Sequence, residues 1–137
     1  MRSICFLIFL GTVYFFSGCD SPAHLAESFQ TSNIPGTLVL IDNQGLSSSS
    51  LSLPQNGVLY FCNRHPSEPI SVEVQLQPNS SVNGETTLGF KEKNNVYFTS
   101  HLIAPGAMAT LSITTPGKFP FRVHGLGRIL EGEIVIH

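Results

Sequence analysis

The chain has few charged residues and no excess of basic ones. Charged side chains make up 12% of its 137 residues, and 7 Lys and Arg against 9 Asp and Glu give a formal net charge of -2. Proteins that hold nucleic acid depend on clustered cationic side chains to neutralise phosphates. The balance of charge therefore argues against a nucleic-acid-binding protein, and the length is that of one domain.

Motifs of common hydrolases and nucleotide-binding enzymes are also missing. The sequence holds no Gly-x-Ser-x-Gly, no His-Glu-x-x-His and no glycine-rich phosphate loop that leads into a helix. The acidic residues are few and isolated, and the serine run at 47–50 has no base at a recognisable spacing. These absences predict a protein that is not an enzyme.

The long apolar run of the chain lies at its start and predicts a signal peptide. Residues 4–16 are largely apolar and follow Arg2, whereas polar residues 20–22 come soon after. A membrane span needs about 20 apolar residues, so the run is too short to cross a bilayer comfortably. We therefore interpret residues 1–18 as a leader that is removed from the mature protein.

The end of this leader resembles the lipobox of bacterial lipoproteins. The residues are Phe16-Ser17-Gly18-Cys19. The resemblance implies cleavage before Cys19 and acylation of that residue, including palmitate, so that membrane lipid holds the protein through Cys19. It places the protein on the periplasmic side of the cell envelope, and Asp20 resembles the signal that retains some lipoproteins in the inner membrane.

The rest of the chain divides into a polar tether and an all-β domain. Residues 19–35 carry prolines and scattered polar residues without a sustained period, which is typical of a lipid-anchored tether. From residue 36 onwards, short apolar segments are separated by Gly, Pro, Asn and Ser, and no amphipathic helix of useful length is present. This pattern predicts a Greek-key β-sandwich of seven or eight strands over 36–137.

The stretch from Pro116 to Ile136 predicts the two closing strands. Phe119, Phe121 and Val123 alternate with polar or proline positions, as expected of a strand with one buried face. Residues 77–95 are instead polar and rich in turn residues, and we expect Leu88 and Phe90 to cover the core from there.

Three segments of residues 37–137 together resemble the cupredoxin family of small copper proteins. The segments are GLSSSSLSLPQNGVLYFCN, IAPGAMATLSITTPGKFPF and LEGEIVI. They are similar to the family's strand that ends in Asn, to its Pro-Gly-x-x-x-x-Leu motif with a second Pro-Gly before an aromatic strand, and to its closing Met-x-Gly-x-Ile-x-Val strand. The resemblance implies a cupredoxin-like sandwich.

The same resemblance implies that the usual copper ligands have been lost. The family's first His falls in a Pro-His-x-Val element, where this chain has Ile70. Its Cys falls six residues after the Gly of the Pro-Gly turn, which is Val123, and its Met falls two residues before the Gly of the closing strand, which is Leu130. Aliphatic residues at these positions predict no cofactor at the usual site.

A rebuilt metal site is the alternative. Cys62, His65 and His124 should lie near the same end of a sandwich of this kind, and one thiolate with two imidazoles suits copper or zinc. The competing interpretation makes Cys62 a small apolar strand residue, His65 a turn residue and His124 a solvated residue at the start of a loop. Cys62 has no disulfide partner if Cys5 leaves with the leader and Cys19 is acylated.

Two functions follow from these interpretations. The first is an accessory module that binds another periplasmic or membrane protein. The second is an electron-transfer or metal-handling lipoprotein that binds copper or zinc.

Overall fold

The structure, a computed structural model, describes residues 36–137. The predicted leader at 1–18, the predicted tether at 19–35 and the acylation of Cys19 lie outside the described residues.

Nine β-strands build the described part of the chain. Each strand is short, and most show alternate buried and exposed residues, as the period of two in the sequence predicts. In chain order they are β1 Gly36–Ile41, β2 Ser50–Leu53, β3 Val58–Asn63, β4 Ser71–Gln75, β5 Phe90–Lys93, β6 Val96–Thr99, β7 Met108–Leu111, β8 Gly117–His124 and β9 Leu130–Ile136.

The strands form two sheets that pack face to face. The smaller sheet has the order β1-β3-β7, and the larger has the order β2-β9-β8-β4-β6-β5. Strands β1 and β3 pair in parallel, as do β2 and β9, so strands that are distant in the sequence become neighbours. This topology confirms the predicted all-β, Greek-key sandwich, with nine strands in place of seven or eight.

Strand β5 is the element that the sequence pattern did not predict. It lies in the segment 77–95 and pairs with β6 through a turn at Asn94 and Asn95. Both asparagines have positive φ, 53° and 62°, which is the conformation of a type I′ hairpin turn. Three of the four β5 residues are exposed because β5 is an edge strand, so its sequence has no apolar alternation. Leu88, expected to cover the core, is 63% exposed.

The core lies between the two sheets. Phe119, Phe121 and Val123 of β8 are buried, which confirms the inward face predicted for the closing strands. Phe61 of the smaller sheet meets Phe121 of the larger sheet at a ring-centroid distance of 5.6 Å and an interplanar angle of 62°. Edge-to-face rings of this kind join the two sheets at the centre of the sandwich.

Gly132 of β9 is a position where any side chain would overlap its surroundings. A Cβ atom there would lie 2.5 Å from two carbons of the Phe121 ring and 2.7 Å from the backbone oxygen of Ser49. That oxygen accepts a hydrogen bond from the backbone N–H of Glu133 at 2.8 Å, so it cannot move away without weakening this bond. The aromatic ring therefore fills the space above the glycine.

We expect Gly132→Ala to lower the free energy of unfolding by about 1–3 kcal/mol, the usual cost of overpacking a well-packed region. Urea denaturation followed by tyrosine fluorescence measures this loss. Gly84→Ala is the matched control, because no atom lies within 4 Å of a Cβ at Gly84. Equal stability of the two variants would show that the sheet relaxes around the added methyl group.

Candidate functional site

Three loops meet at one end of the sandwich, and we call residues 63–70, 100–107 and 124–130 the loop end. Ile70 and Ile103 exchange two backbone hydrogen bonds of 3.1 and 2.7 Å, which join the first loop to the second. The third loop joins them at Gly125, where a Cβ atom would lie 2.5 Å from the backbone oxygen of Pro69. The loop after Asn63 and the loop after Val123 thus lie together, as the sequence predicts.

Asn63 holds the first two loops in place. It is fully buried, and its side-chain N–H₂ donates to the backbone oxygens of Glu68 at 2.9 Å and Ile103 at 2.8 Å. Its side-chain oxygen accepts from the backbone N–H of His65 at 2.9 Å. The sequence pattern marked Asn63 only as the end of a strand. The available signal was a polar residue directly after a continuous apolar strand, because a buried amide must find partners.

At the three positions where the resemblance predicts copper ligands, the side chains are apolar and their neighbours are apolar too. Ile70 and Val123 are fully buried, and Leu130 packs against the same core cluster. Val123 pairs with Leu130 on one side and with Val72 on the other. Aliphatic side chains offer no donor atom to a metal ion. Their equivalence to the ligand positions of the copper proteins stays a prediction.

Cys62 differs from its sequence interpretation. It is fully buried, and it is disulfide-bonded to a partner outside the described residues. Cys62 is thus disulfide-bonded in the full chain, whereas the sequence interpretation concerned a processed chain in which Cys5 is removed and the Cys19 sulfur carries a lipid. A sulfur atom in a disulfide cannot act as the thiolate that a copper or zinc site needs.

His65 shapes the turn that follows β3. Its Nδ1 accepts hydrogen bonds from the backbone N–H groups of Ser67 at 3.3 Å and Glu68 at 2.8 Å. One ring nitrogen is thus occupied by the local backbone. His65 is therefore a turn residue, as the non-metal interpretation of the sequence predicts.

The side chains of Glu73, Arg122, His124 and Glu131 form a surface charge cluster. His124 is the member at its edge. The Nε2 atom of His124 is 3.5 Å from a Glu73 carboxylate oxygen, and it makes no hydrogen bond within the described part of the chain. Arg122 lies 3.7 Å from Glu73 and donates to Glu131 at 2.9 Å. These side chains are partly exposed, so each pair contributes about 0–1 kcal/mol to stability.

Cys62, His65 and His124 do not form a metal-binding group. Across residues 36–137, the structure holds no set of three or more His, Cys, Asp or Glu side chains placed to share a metal ion. Together with the disulfide of Cys62 and the occupied Nδ1 of His65, this donor set does not fit a copper ion.

An open groove of about 550 Å³ crosses the outer face of the larger sheet. Glu73, Arg122, Glu131 and Glu133 line it. Each of these carboxylates is already paired with a cation. Lys118 lies 3.6 Å from Glu133, and Arg122 pairs with both Glu73 and Glu131. Sequence reasoning missed the groove because its walls come from separate strands that only the pairing of the sheet brings together. We assign no ligand to it.

Solved structures of amicyanin share this arrangement of strands. A methionine-to-alanine variant of amicyanin with Cu(I) matches with a TM-score of 0.52 and 13% identity, over 74% of this chain and 82% of that one. A second such variant in the Cu(I) form matches with a TM-score of 0.50 and 12% identity over 79% and 88%. A reduced tryptophan-to-tyrosine variant gives 0.50 and 12% over 77% and 85%.

The chain has a cupredoxin-like fold. At 12–13% identity these likenesses show the fold alone. No protein-family model and no curated protein matches the sequence. Within residues 36–137, the cupredoxin-like domain has no helix that is long and apolar enough to span a membrane.

Proposed function

We propose that the protein is a lipid-anchored module of the cell envelope, and that its cupredoxin-like domain binds a partner protein through the loop end without catalysing a reaction. One observation carries the proposal: Leu102 and Ile129 are 62% and 57% exposed at the loop end. Leu102 precedes Ile103, which bonds to Ile70, and Ile129 precedes the first residue of β9.

Exposed apolar side chains on a firmly held surface favour protein–protein contact. The hydrogen bonds of Asn63 and the bridge between Ile70 and Ile103 order the loops before any partner arrives. Preorganised loops lose less conformational entropy on binding. Apolar residues at the centre of an interface with polar residues around them are typical of docking surfaces.

Site-specific photo-crosslinking in growing cells tests the docking surface. A photoreactive p-benzoylphenylalanine takes the place of Leu102 or of Ile129 in the full-length protein, and we expect both positions to capture the same protein. Leu88 is the matched control, because it is equally exposed at 63% but lies beside β7, bridged to Thr110. The same product from all three positions, or no product from any, would contradict docking at the loop end.

The proposed anchor rests on the sequence Phe16-Ser17-Gly18-Cys19. We expect Cys19→Ala to abolish the incorporation of labelled palmitate. When an unrelated cleavable leader precedes residues 19–137, we further expect this variant to leave the membrane fraction, because the acyl chains that hold the protein are gone. Fractionation and mass spectrometry of the released protein check both results. Persistent membrane association of the mature-length variant would count against acylation.

The disulfide of Cys62 sharpens this test. The Cys19 sulfur can carry a lipid or join a disulfide, but it cannot do both. The proposed anchor requires the mature protein to yield an acylated peptide that begins at Cys19, and it requires that neither Cys5 nor Cys19 is bonded to Cys62 in that protein. A peptide in which Cys19 is bonded to Cys62 would contradict the anchor and would indicate a secreted form of the same module.

Metal titration separates this proposal from a copper or zinc protein. We expect the protein, with its thiols reduced or oxidised, to retain no stoichiometric Cu(I), Cu(II) or Zn(II) after gel filtration, because the described donor groups do not converge. Absorption spectra should show no intense thiolate-to-copper band. One equivalent of bound metal that is lost in Cys62→Ser or His124→Ala would support the rebuilt site instead.

A further inference from the structure

The two sheets of the sandwich differ in the chemistry of their outer faces. The larger sheet presents charged side chains, as the groove shows. The smaller sheet presents an apolar outer face, which we define by six residues. They are Leu38, Leu40, Val58, Tyr60, Cys62 and Met108.

The register places these residues together on the side opposite the core. Leu38 pairs with Tyr60, and Cys62 pairs with Leu40 on one side and Met108 on the other. Their strand neighbours, such as Val39 and Phe61, belong to the core cluster, whereas none of the six does. Because side chains alternate along a strand, the six lie on one outer face of the sheet, together with Thr110, which pairs with Tyr60.

This surface is partly buried although it is an outer face, since Leu38, Leu40, Tyr60 and Met108 are half-buried. Val58 is 3% exposed and Cys62 is fully buried. Burial also raises the pKa of the Tyr60 hydroxyl above its ordinary value. Edge strands and outer faces of sandwiches are normally polar because water contacts them. An apolar outer face on which two residues are buried and four are half-buried requires a cover.

We propose that residues 20–35, the segment that precedes β1, pack across the apolar outer face of the smaller sheet. The segment joins the sheet at Gly36, and β1 is the edge strand of that sheet. An extended segment of this length reaches about 50 Å, whereas a six-residue strand is about 20 Å long. Leu25, Phe29 and Ile34 supply apolar side chains for the contact.

The disulfide of Cys62 points in the same direction. Cys62 belongs to the apolar outer face, and the other cysteines of the chain, Cys5 and Cys19, both precede Gly36. A bond from Cys62 to either of them would bring the preceding segment to this face. The packing itself does not require the bond, so the inference holds whether the Cys19 sulfur carries a lipid or a disulfide.

The proposed packing, combined with the proposed anchor at Cys19, orients the domain relative to the membrane. Strand β1 runs from Gly36, opposite Val58, towards Ile41, opposite Asn63 at the loop end. A segment that returns from Gly36 to the neighbourhood of Cys62 places Cys19 near the loop end. The anchored domain would then present its loop end to the membrane, where an integral membrane protein is the partner within reach.

Stability measurements on the full mature chain test the packing. We expect Phe29→Ser to raise the equilibrium constant for unfolding in urea by about tenfold, because a large buried apolar side chain is lost. Gln30→Ser, its neighbour, is the matched control and should leave the constant unchanged. The pair is measured in the acylated protein and in the soluble Cys19→Ala form. Equal stability of Phe29→Ser and Gln30→Ser in both forms would overturn the inference.

A crosslink identifies what covers the face. p-Benzoylphenylalanine in place of Leu38 should react within the same molecule, with residues 20–35, in the membrane-bound and soluble forms alike. The same probe in place of Arg122, on the outer face of the larger sheet, should not reach that segment. Products with a second copy of the chain, with lipid or with another protein would overturn the inference, whereas loss of the anchor alone would leave it intact.

Discussion

Replacing Asn63 by leucine should lower the free energy of unfolding by about 3 kcal/mol or more. Leucine is similar in size but has no polar atoms, so three hydrogen bonds to Glu68, Ile103 and His65 are lost at once. Leaving a buried backbone group without a partner costs about 1–3 kcal/mol. Ile103 keeps one partner, because its oxygen also accepts from the N–H of Ile70 at 3.1 Å, and this limits the loss.

Chemical denaturation measures the stability of Asn63→Leu, and amide hydrogen exchange shows where the structure loosens. We expect faster exchange at 63–70 and 100–107 than in the larger sheet. Asn83→Leu is the matched control, since the side chain of Asn83 caps a single exposed N–H, that of Glu85. Comparable losses in the two variants would mean that backbone contacts alone order the loop end.

This prediction bears on function as well as on stability. The proposed docking surface depends on loops that keep Leu102 and Ile129 in fixed positions. If Asn63→Leu folds but the amide hydrogens of its loops exchange rapidly, crosslinking from Leu102 should weaken. The loops would then lose conformational entropy when the partner binds, and this loss weakens binding. Unchanged crosslinking with disordered loops would show that the partner itself organises the surface.

Phe61→Ala should cost about 3–5 kcal/mol, the usual range for the loss of a fully buried aromatic ring. Phe61 has no exposed surface and touches two other rings, Phe121 at 5.6 Å and Phe90 at 6.0 Å between centroids. The cavity would lie between the two sheets, where neither sheet can collapse without disturbing its own pairing. In a domain of this size, a loss of this order consumes much of the total stability.

The same substitution at Phe98 is the control, because Phe98 is only half-buried on β6. We expect Phe98→Ala to cost clearly less than Phe61→Ala in thermal and urea denaturation. Similar losses at the two sites would place the stabilising centre of the domain in the larger sheet and not between the sheets.

The closing strands show how much of the fold could be predicted. Phe119, Phe121 and Val123 alternate with Lys118 and Arg122, and the structure buries the first set and exposes the second. In a strand with one solvent-exposed face, the residue types alone indicate which face is buried, since neighbouring side chains point to opposite sides. Strand β4 shows the same alternation of buried and more exposed residues.

Elsewhere the local pattern carried no such signal. Strand β5 is mostly exposed and polar, so only the positive φ of Asn94 and Asn95 and the pairing with β6 make it a strand. The role of Asn63 depends on backbone groups at Glu68 and Ile103, the second of which is distant in the chain. The disulfide state of Cys62 in the full chain also had no signal in the local pattern, because pairing of cysteines depends on spatial approach.

The sequence by itself determined the inward face of β8, the sandwich class and the absence of ligand atoms at Ile70, Val123 and Leu130, because these are properties of residue type and of period. Tertiary structure alone decided which backbone groups the Asn63 side chain meets, and which outer face of the sandwich is apolar. Both depend on the pairing of strands far apart in the chain, and the register of that pairing is set by the packing of the whole core.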